Sequence, residues 1–180
     1  MIDDILKYNK EFVSQNKYTE FKTGSKYPNK KLAIVSCMDT RLTQLLPAAL
    51  GMKNGDCKII KNAGGVISHP YGSAVRSLLI AIFELGVEEI MVIGHTDCGV
   101  GYIDVDCLLS KMKKRNISED NIDMIQFGGI DFNRWLGGFE CVNQSVEESI
   151  NLLKKHPLIP KDVTIRGFVM DIDTGMLEEV

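Results

Sequence analysis

The sequence predicts an α/β fold in which a central, mostly parallel β-sheet is flanked by helices. KLAIVS is a continuous apolar run, and VEEIMVIG is rich in Val and Ile without alternation, as is typical of strands covered on both faces. Between them lie a further strand candidate, DCKIIKN, and an amphipathic helix. Strands that alternate with helices along a chain indicate a parallel sheet.

The first elements follow in order from the N-terminus. Residues 3–16 carry apolar side chains at roughly helical spacing and predict an amphipathic N-terminal helix. After the first strand, LTQLLPAALG is a short helical segment that we expect to break near Pro47. The second strand then runs into the glycine turn AGG.

The helix after the second strand has the clearest pattern. Its apolar residues recur at i, i+3, i+4, i+7 and i+8, which predicts a core-facing stripe in a helix that ends at Gly86. The stripe consists of Val75, Leu78, Leu79, Ile82 and Phe83.

Shorter elements follow the third strand. Residues 104–140 predict irregular helical segments separated by FGG and LGG. In SVEES, Ser145 and Glu148 have the spacing of a capping box, so we expect a helix to begin there and to end near Lys155. A last strand, VTIRGFVMDI, turns at DTG into a tail that can pair back as a C-terminal hairpin strand.

Composition limits the class of protein. With 180 residues and 44% hydrophobic content, we expect a single domain over residues 1–180, in which residues 1–20 form an N-terminal helical arm. The net charge of −3 without a basic stripe argues against a nucleic-acid partner. The first ten residues do not resemble a secretory signal and the apolar runs are too short for a membrane span, so we expect a cytoplasmic protein with no membrane partner.

Reactive side chains gather at the ends of two predicted strands. SCMDTRL places Cys37, Asp39 and Arg41 after the first strand, and GHTDCG places His95 and Cys98 after the third. The carboxyl ends of adjacent parallel strands, ~4.8 Å apart, meet at the edge where ligands bind. Two thiolates and an imidazole suit a catalytic zinc site with one open position.

An alternative interpretation of the same residues is structural. Cys37 and Cys98 would then be core thiols, His95 would cap a turn, and Asp39 would form an ordinary ion pair with Arg41. The occurrence of both motifs at one sheet edge favours the metal site. The remaining cysteines are interpreted as reduced, buried thiols without a site role: Cys57, Cys107 and Cys141.

CMDTRL followed by GHTDCG resembles the β-class carbonic anhydrases, in particular their short bacterial and archaeal branch. The resemblance extends through ALGMKNGDCKIIKNAGG, RSLLIAIFELGVEEIMVIGHTDCG and HPLIPKDVTIRGFVMDIDTG, and so covers most of the chain. It implies one Zn²⁺ per subunit, held by Cys37, His95 and Cys98, with Asp39 and Arg41 as a dyad beside the metal.

The resemblance also implies an activity and an assembly. The activity is reversible hydration of carbon dioxide to bicarbonate and a proton by zinc-bound hydroxide, and the assembly is a homodimer or larger homo-oligomer to which the N-terminal helix contributes. Asp39 either stays with Arg41 and orients the hydroxide, or becomes a fourth zinc ligand. Because two thiolates offset the metal charge, we expect activity to rise toward alkaline pH.

Two alternative functions remain open on the same residues. One is hydrolysis of carbon disulfide or carbonyl sulfide, which are also small, linear and apolar. The other is a noncatalytic zinc or redox protein in which Asp39 permanently fills the fourth position.

The loop KNAGGVISHPYG leaves the second strand at the same sheet edge and predicts a substrate pocket. Its candidate residues are Asn62, Ala63, Gly64 and Gly65, which would supply backbone, and Val66, which would supply an apolar wall. His69 is either a proton shuttle or a loop residue without a catalytic part, and we expect His156 to be structural. Plant-type members carry a Gln where this chain has YPNKK, so the substrate contacts differ there.

Overall fold

The computed structural model describes residues 1–180 and contains one five-stranded sheet in the order β2-β1-β3-β4-β5. The strands β1 to β4 are parallel, and β5 pairs antiparallel with β4. The strands are β1 Leu32–Cys37, β2 Cys57–Asn62, β3 Glu89–His95, β4 Thr164–Met170 and β5 Leu177–Glu179. The helices are α1 Ile2–Ser14, α2 Leu42–Ala49, α3 Ser73–Leu85, α4 Val105–Lys114, α5 Glu119–Phe127, α6 Phe132–Leu136 and α7 Val142–Lys155. The predicted fold class is confirmed.

The two faces of the sheet carry separate apolar layers, and β1 is buried along its whole length between them. On one face, Val35 belongs to a cluster with Leu78 of α3 and Leu153 of α7. On the other face, Ile34 belongs to a cluster with Leu46 of α2. This double cover explains why the strand sequences are continuously apolar.

Helix α3 confirms the predicted element but only part of the predicted stripe. Val75 and Leu78 are buried, and Ala81 completes the buried face, whereas Phe83 is 64% exposed. The helix ends at Gly86, whose φ of 69° lies in the left-handed region, as the glycine predicted. The stripe is therefore narrower than the apolar sequence pattern.

The expected break near Pro47 does not occur. Helix α2 continues past Pro47 to Ala49, and the carbonyl of Pro47 accepts a hydrogen bond from the Met52 amide at 2.8 Å. Proline has no amide proton, so α2 lacks the one hydrogen bond that residue 47 would have donated, and the helix continues for two more residues.

The predicted start of α7 was wrong. The helix begins at Val142, one turn before Ser145, so Ser145 and Glu148 do not form a capping box. Ser145 is buried instead, and its carbonyl accepts a hydrogen bond from the Ser149 hydroxyl at 2.9 Å. Ser149 Oγ in turn accepts from the Ile67 amide at 2.9 Å. Through these hydrogen bonds, Ser149 attaches α7 to the loop after β2.

The two ends of the chain match their predictions. Helix α1 forms, yet none of its residues is buried. At the other end, the tail returns as β5 through a turn in which Asp171 Oδ1 accepts hydrogen bonds from the Thr174 amide at 2.8 Å and hydroxyl at 2.7 Å. No helix combines the length and the apolar composition that crossing a bilayer requires.

Candidate metal centre

Three potential metal ligands meet beyond the carboxyl ends of β1 and β3. Cys37 is the last residue of β1, His95 is the last residue of β3, and Cys98 lies in the turn that follows. Their ligand atoms all lie within 4.8 Å of one another, and the two sulfur atoms are 3.8 Å apart. All three residues are buried. Adjacent parallel strands thus bring together the residues that the sequence predicted to converge.

The imidazole of His95 is oriented for a ligand. Its Nδ1 lies 2.8 Å from the carbonyl oxygen of Thr96, an acceptor that selects the tautomer with the proton on Nδ1. Nε2 is then an acceptor, and it is buried without a hydrogen-bond partner. A buried polar atom without a partner is costly, and a cation between Nε2 and the two sulfur atoms would satisfy it.

The two thiols differ in how readily they ionise. Burial opposes ionisation of Cys37, but the neighbouring His95 imidazole and the hydrogen bond from the Asp39 amide lower its pKa to about 7. Burial, together with the neighbouring Cys37, raises the pKa of Cys98 to about 11. Two adjacent thiolates therefore need a compensating cation, and two sulfurs with one imidazole nitrogen form a donor set that suits Zn²⁺.

Asp39 and Arg41 form a two-point ion pair beside these ligands. Arg41 Nε donates to Asp39 Oδ1 at 3.1 Å, and Nη2 donates to Oδ2 at 2.9 Å. These side-chain hydrogen bonds are the main reason that the pKa of Asp39 falls to about 2. Asp39 Oδ2 lies 4.0 Å from His95 Nε2. The carboxylate is thus adjacent to the potential metal ligands while both of its oxygens are bound to Arg41.

Asp97 is a residue of this site that the sequence reasoning missed. Its carboxylate Oδ2 accepts from Arg41 Nη1 at 2.9 Å, and its carbonyl oxygen accepts from Arg41 Nη2 at 2.9 Å. Asp39 and Asp97 together hold the pKa of Arg41 above its ordinary value. The only sequence signal was the position of Asp97 inside GHTDCG.

Comparison with known proteins identifies the family. A family model described as carbonic anhydrase matches residues 32–177, a range that includes the three potential ligands and the ion pair. The chain belongs to the β-carbonic anhydrase family.

Individual relatives align with most of this chain. YvdA of Bacillus subtilis is 48% identical over 99% of this chain and 90% of its own length. YvdA is itself named as a carbonic anhydrase only provisionally. A carbon disulfide hydrolase of Acidithiobacillus thiooxidans is 32% identical over 83% of this chain and 76% of its own. The crystal structure of β-carbonic anhydrase isoform I of Trichomonas vaginalis has a TM-score of 0.90 and 33% identity, covering 99% of this chain and 96% of that chain.

The loop after β2 lies against the site in this family member. Gly64 and Gly65 are buried and adopt positive φ values of 79° and 68°. A Cβ on Gly65 would lie 2.7 Å from the Cys37 amide nitrogen, so the close approach requires glycine. The Asn62 side chain fixes the loop by donating to the Val66 carbonyl at 2.7 Å, while Ala63 is exposed between them.

Two cavities lie beside the potential ligands and the loop after β2. A cavity of about 170 Å³ is lined by His95 and Cys98 together with apolar side chains that the sequence reasoning did not select, Phe139 and Val142. Val66 instead lines a separate cavity of about 320 Å³, which also has Phe139 in its wall. Val66 is therefore at the neighbouring cavity and not at the one beside the ligands.

The other two histidines lie elsewhere. His69 Nδ1 accepts from the Tyr71 amide at 3.0 Å, and its ring lines a third cavity of about 380 Å³ that contains none of the three ligands. His156 is buried, with Nε2 at 2.9 Å from the Pro70 carbonyl oxygen. These contacts give His156 a packing role.

The cysteines outside the cluster differ partly from expectation. Cys57 is half-buried at the start of β2, but Cys107 and Cys141 are exposed, which corrects their interpretation as buried thiols. Their exposure follows from their positions on or beside surface helices in the segment between β3 and α7.

Proposed function

We propose that this protein catalyses the reversible hydration of carbon dioxide to bicarbonate and a proton, with one Zn²⁺ per subunit held by Cys37, His95 and Cys98. The observation that carries the proposal is the buried, unpartnered Nε2 of His95 facing two sulfur atoms at the ligand-binding edge of the sheet. Zinc held in this way supplies Lewis acidity that lowers the pKa of water and so provides a nucleophile near neutral pH.

The residues around the ligands supply orientation. The Thr96 carbonyl fixes the His95 ring so that Nε2 faces the sulfur atoms. The Asp39 amide donates to Cys37 Sγ at 3.4 Å and so stabilises its thiolate form. Together these contacts hold the ligand atoms in place before a metal binds.

Asp39 and Arg41 act on the attacking water. Asp39 Oδ2 would accept a hydrogen bond from the attacking water. This bond would orient a lone pair of the water oxygen toward carbon dioxide. Arg41 keeps Asp39 ionised and turned toward itself through the two-point pair. In the absence of that pair, Asp39 is close enough to compete for the fourth coordination position of the metal.

The substrate is bound by an apolar wall and by backbone. Phe139 and Val142 supply apolar surface beside His95 and Cys98 for an uncharged gas, in a cavity whose lining also includes the carboxylates of Asp97 and Glu140. The loop residues 62–65 complete the site from the side of β2, where Gly65 packs closely against the Cys37 backbone. Val66 lines the neighbouring cavity, which shares Phe139 with the cavity beside the potential ligands.

Hydrolysis of carbon disulfide or carbonyl sulfide is the second candidate. Its support is the 32% identity to a carbon disulfide hydrolase, and both substrates share the linear, apolar shape of carbon dioxide. Stopped-flow assays of the purified zinc protein with each of the three substrates at pH 7 and pH 9 distinguish the candidates. We expect carbon dioxide hydration at both values, faster at pH 9. Turnover of a sulfur substrate alone would support the second candidate.

A noncatalytic zinc protein is the remaining alternative. Its defining feature, Asp39 as a permanent fourth ligand, is opposed by the engagement of both Asp39 oxygens with Arg41. Stoichiometric zinc without turnover of any of the three substrates would favour it over both enzymatic functions.

We also propose a homodimer as the basic assembly. Helix α1 presents Ile2, Ile5 and Leu6 to solvent and has no buried residue. A 13-residue helix is marginally stable alone, so a second subunit is the surface that would hold it. The cytoplasmic location expected from the sequence stays a prediction.

A further inference from the structure

Arg41 is held from two sides by two carboxylates. Its Nε and Nη2 donate to Asp39, while Nη1 donates to the Asp97 carboxylate and Nη2 also donates to the Asp97 carbonyl. The guanidinium is a rigid, planar fork, so fixing one edge fixes the direction of the other. The contacts with Asp97 therefore set the angle at which Arg41 meets Asp39.

The turn that carries Asp97 is itself held in place. Asp97 has a φ of 52°, a left-handed conformation that aspartate tolerates better than most residues. Just before it, the Thr96 amide donates to the Met170 carbonyl at 3.0 Å, and the Thr96 hydroxyl accepts from the Ile172 amide at 3.0 Å. The end of β4 thus anchors the turn, and Asp97 presents its carbonyl and its carboxylate to the same guanidinium.

We propose that Asp97 is a positioning residue that orients Arg41 and thereby keeps Asp39 away from the metal. The inference rests on the proposed zinc site. Arg41 is substantially exposed, so without Asp97 its guanidinium gains freedom to turn toward water. Asp39 would then lose its two-point partner while lying 4.0 Å from His95 Nε2, and would compete for the fourth ligand position.

The test uses the full chain with Co²⁺ in place of Zn²⁺ and azide as the probe of the fourth position. Azide binding is followed by visible absorption, and bound cobalt is quantified in every variant. Asp97→Gly removes the carboxylate and suits the left-handed backbone. We expect it to weaken azide binding about fivefold, the scale of a partly exposed ion pair. Asp97→Asn, which keeps an acceptor oxygen, should lie closer to the wild type.

A second substitution separates positioning from general damage. Asp39→Ala removes the competing carboxylate, so Asp39→Ala alone and combined with Asp97→Gly should bind azide equally. The control Asn116→Gly alters another left-handed residue, with a φ of 68°, and should leave azide binding unchanged.

Each outcome decides the proposal. Wild-type azide affinity in Asp97→Gly would overturn it, as would an equal loss of affinity in the Asp39→Ala background. Failure of the unsubstituted chain to bind cobalt would overturn the proposed metal site and this inference with it, whereas full cobalt occupancy with unchanged azide affinity would overturn the inference alone.

Discussion

His95 acquires its proposed role from a contact one residue away. The Thr96 carbonyl accepts a hydrogen bond from the Nδ1–H group and leaves the unprotonated Nε2 facing the sulfur atoms. The sequence could predict that His95 and Cys98 approach Cys37, because strand ends in a parallel sheet share an edge. It could not predict the pairing of Arg41 with Asp97, because that pairing depends on the left-handed backbone of the turn at Asp97.

The proposed cysteine ligands provide the first prediction. Cys98→Ala should abolish stoichiometric zinc binding, because it removes one of the three proposed protein ligands. Cys107→Ala, which changes an exposed cysteine outside the cluster, should retain one zinc per chain. Elemental analysis after dialysis measures both. Full zinc occupancy in Cys98→Ala would contradict the assignment.

Arg41 is expected to behave differently from the ligands. Arg41→Ala should keep zinc bound, since the guanidinium contacts carboxylates and a carbonyl and not the ligand atoms. Carbon dioxide hydration should fall roughly 10- to 100-fold, the scale for residues that orient a metal site from outside it. Stopped-flow rates normalised to zinc content measure the effect. Loss of the metal in this variant would show that the dyad has a different role.

At the scale of elements, the regular strands and the apolar helix were predictable, whereas helix boundaries were less so. The predicted helix start at Ser145 was wrong because Ser145 lies inside α7. There its carbonyl accepts from the Ser149 hydroxyl, whose oxygen binds the loop after β2. Such a contact joins segments 82 residues apart and leaves no local sequence signal.

The glycine turn after β2 provides a prediction with an internal control. Gly65→Ala and Gly86→Ala both place a Cβ at a φ near 70°, at a cost of about 1–2 kcal/mol each. Only at Gly65 would the Cβ meet the Cys37 backbone, at 2.7 Å, whereas nothing lies within 4 Å at Gly86. We therefore expect weaker zinc binding in Gly65→Ala alone, measured by competition with a chelator. Equal zinc affinity in both variants would show that the turn does not support the ligand.

The C-terminal hairpin gives a prediction on pH. Glu179 accepts a hydrogen bond from Arg166 Nε at 2.7 Å, and this partner lowers the pKa of Glu179. A lowered pKa in the folded state means that the pair stabilises the protein above the ordinary glutamate value of about 4.3 and that this stabilisation is lost as pH falls through the folded value. Glu179→Gln should therefore reduce the free energy of unfolding at pH 7, and the difference from the wild type should shrink at pH 3.5.

Urea unfolding of both proteins at the two pH values measures that difference. Comparing the two proteins cancels the general effect of acid on the rest of the chain. A difference that is as large at pH 3.5 as at pH 7 would indicate that the charge of Glu179 does not stabilise the hairpin.

For the whole molecule, the sequence predicted that the site residues meet at one edge of the sheet. A single chain does not show which surface covers α1. Leu6 is 55% exposed on a helix without buried residues. If a second copy covers this face, Leu6→Glu should weaken the dimer by about tenfold or more, since burying a leucine contributes roughly 1.5–3 kcal/mol. Lys7→Glu, on the opposite face by helical geometry, is the control. Light scattering over a concentration series measures both, and identical dimerisation of the two variants would exclude this face.

In the proposed site, two sulfur atoms and one imidazole nitrogen hold a single Zn²⁺. X-ray absorption at the zinc edge of the purified protein measures this ligand shell. We expect two sulfur neighbours at about 2.3 Å and nitrogen or oxygen neighbours at about 2.0–2.1 Å. A zinc shell of nitrogen and oxygen alone, or one with four sulfur atoms, would contradict the assignment of Cys37, His95 and Cys98.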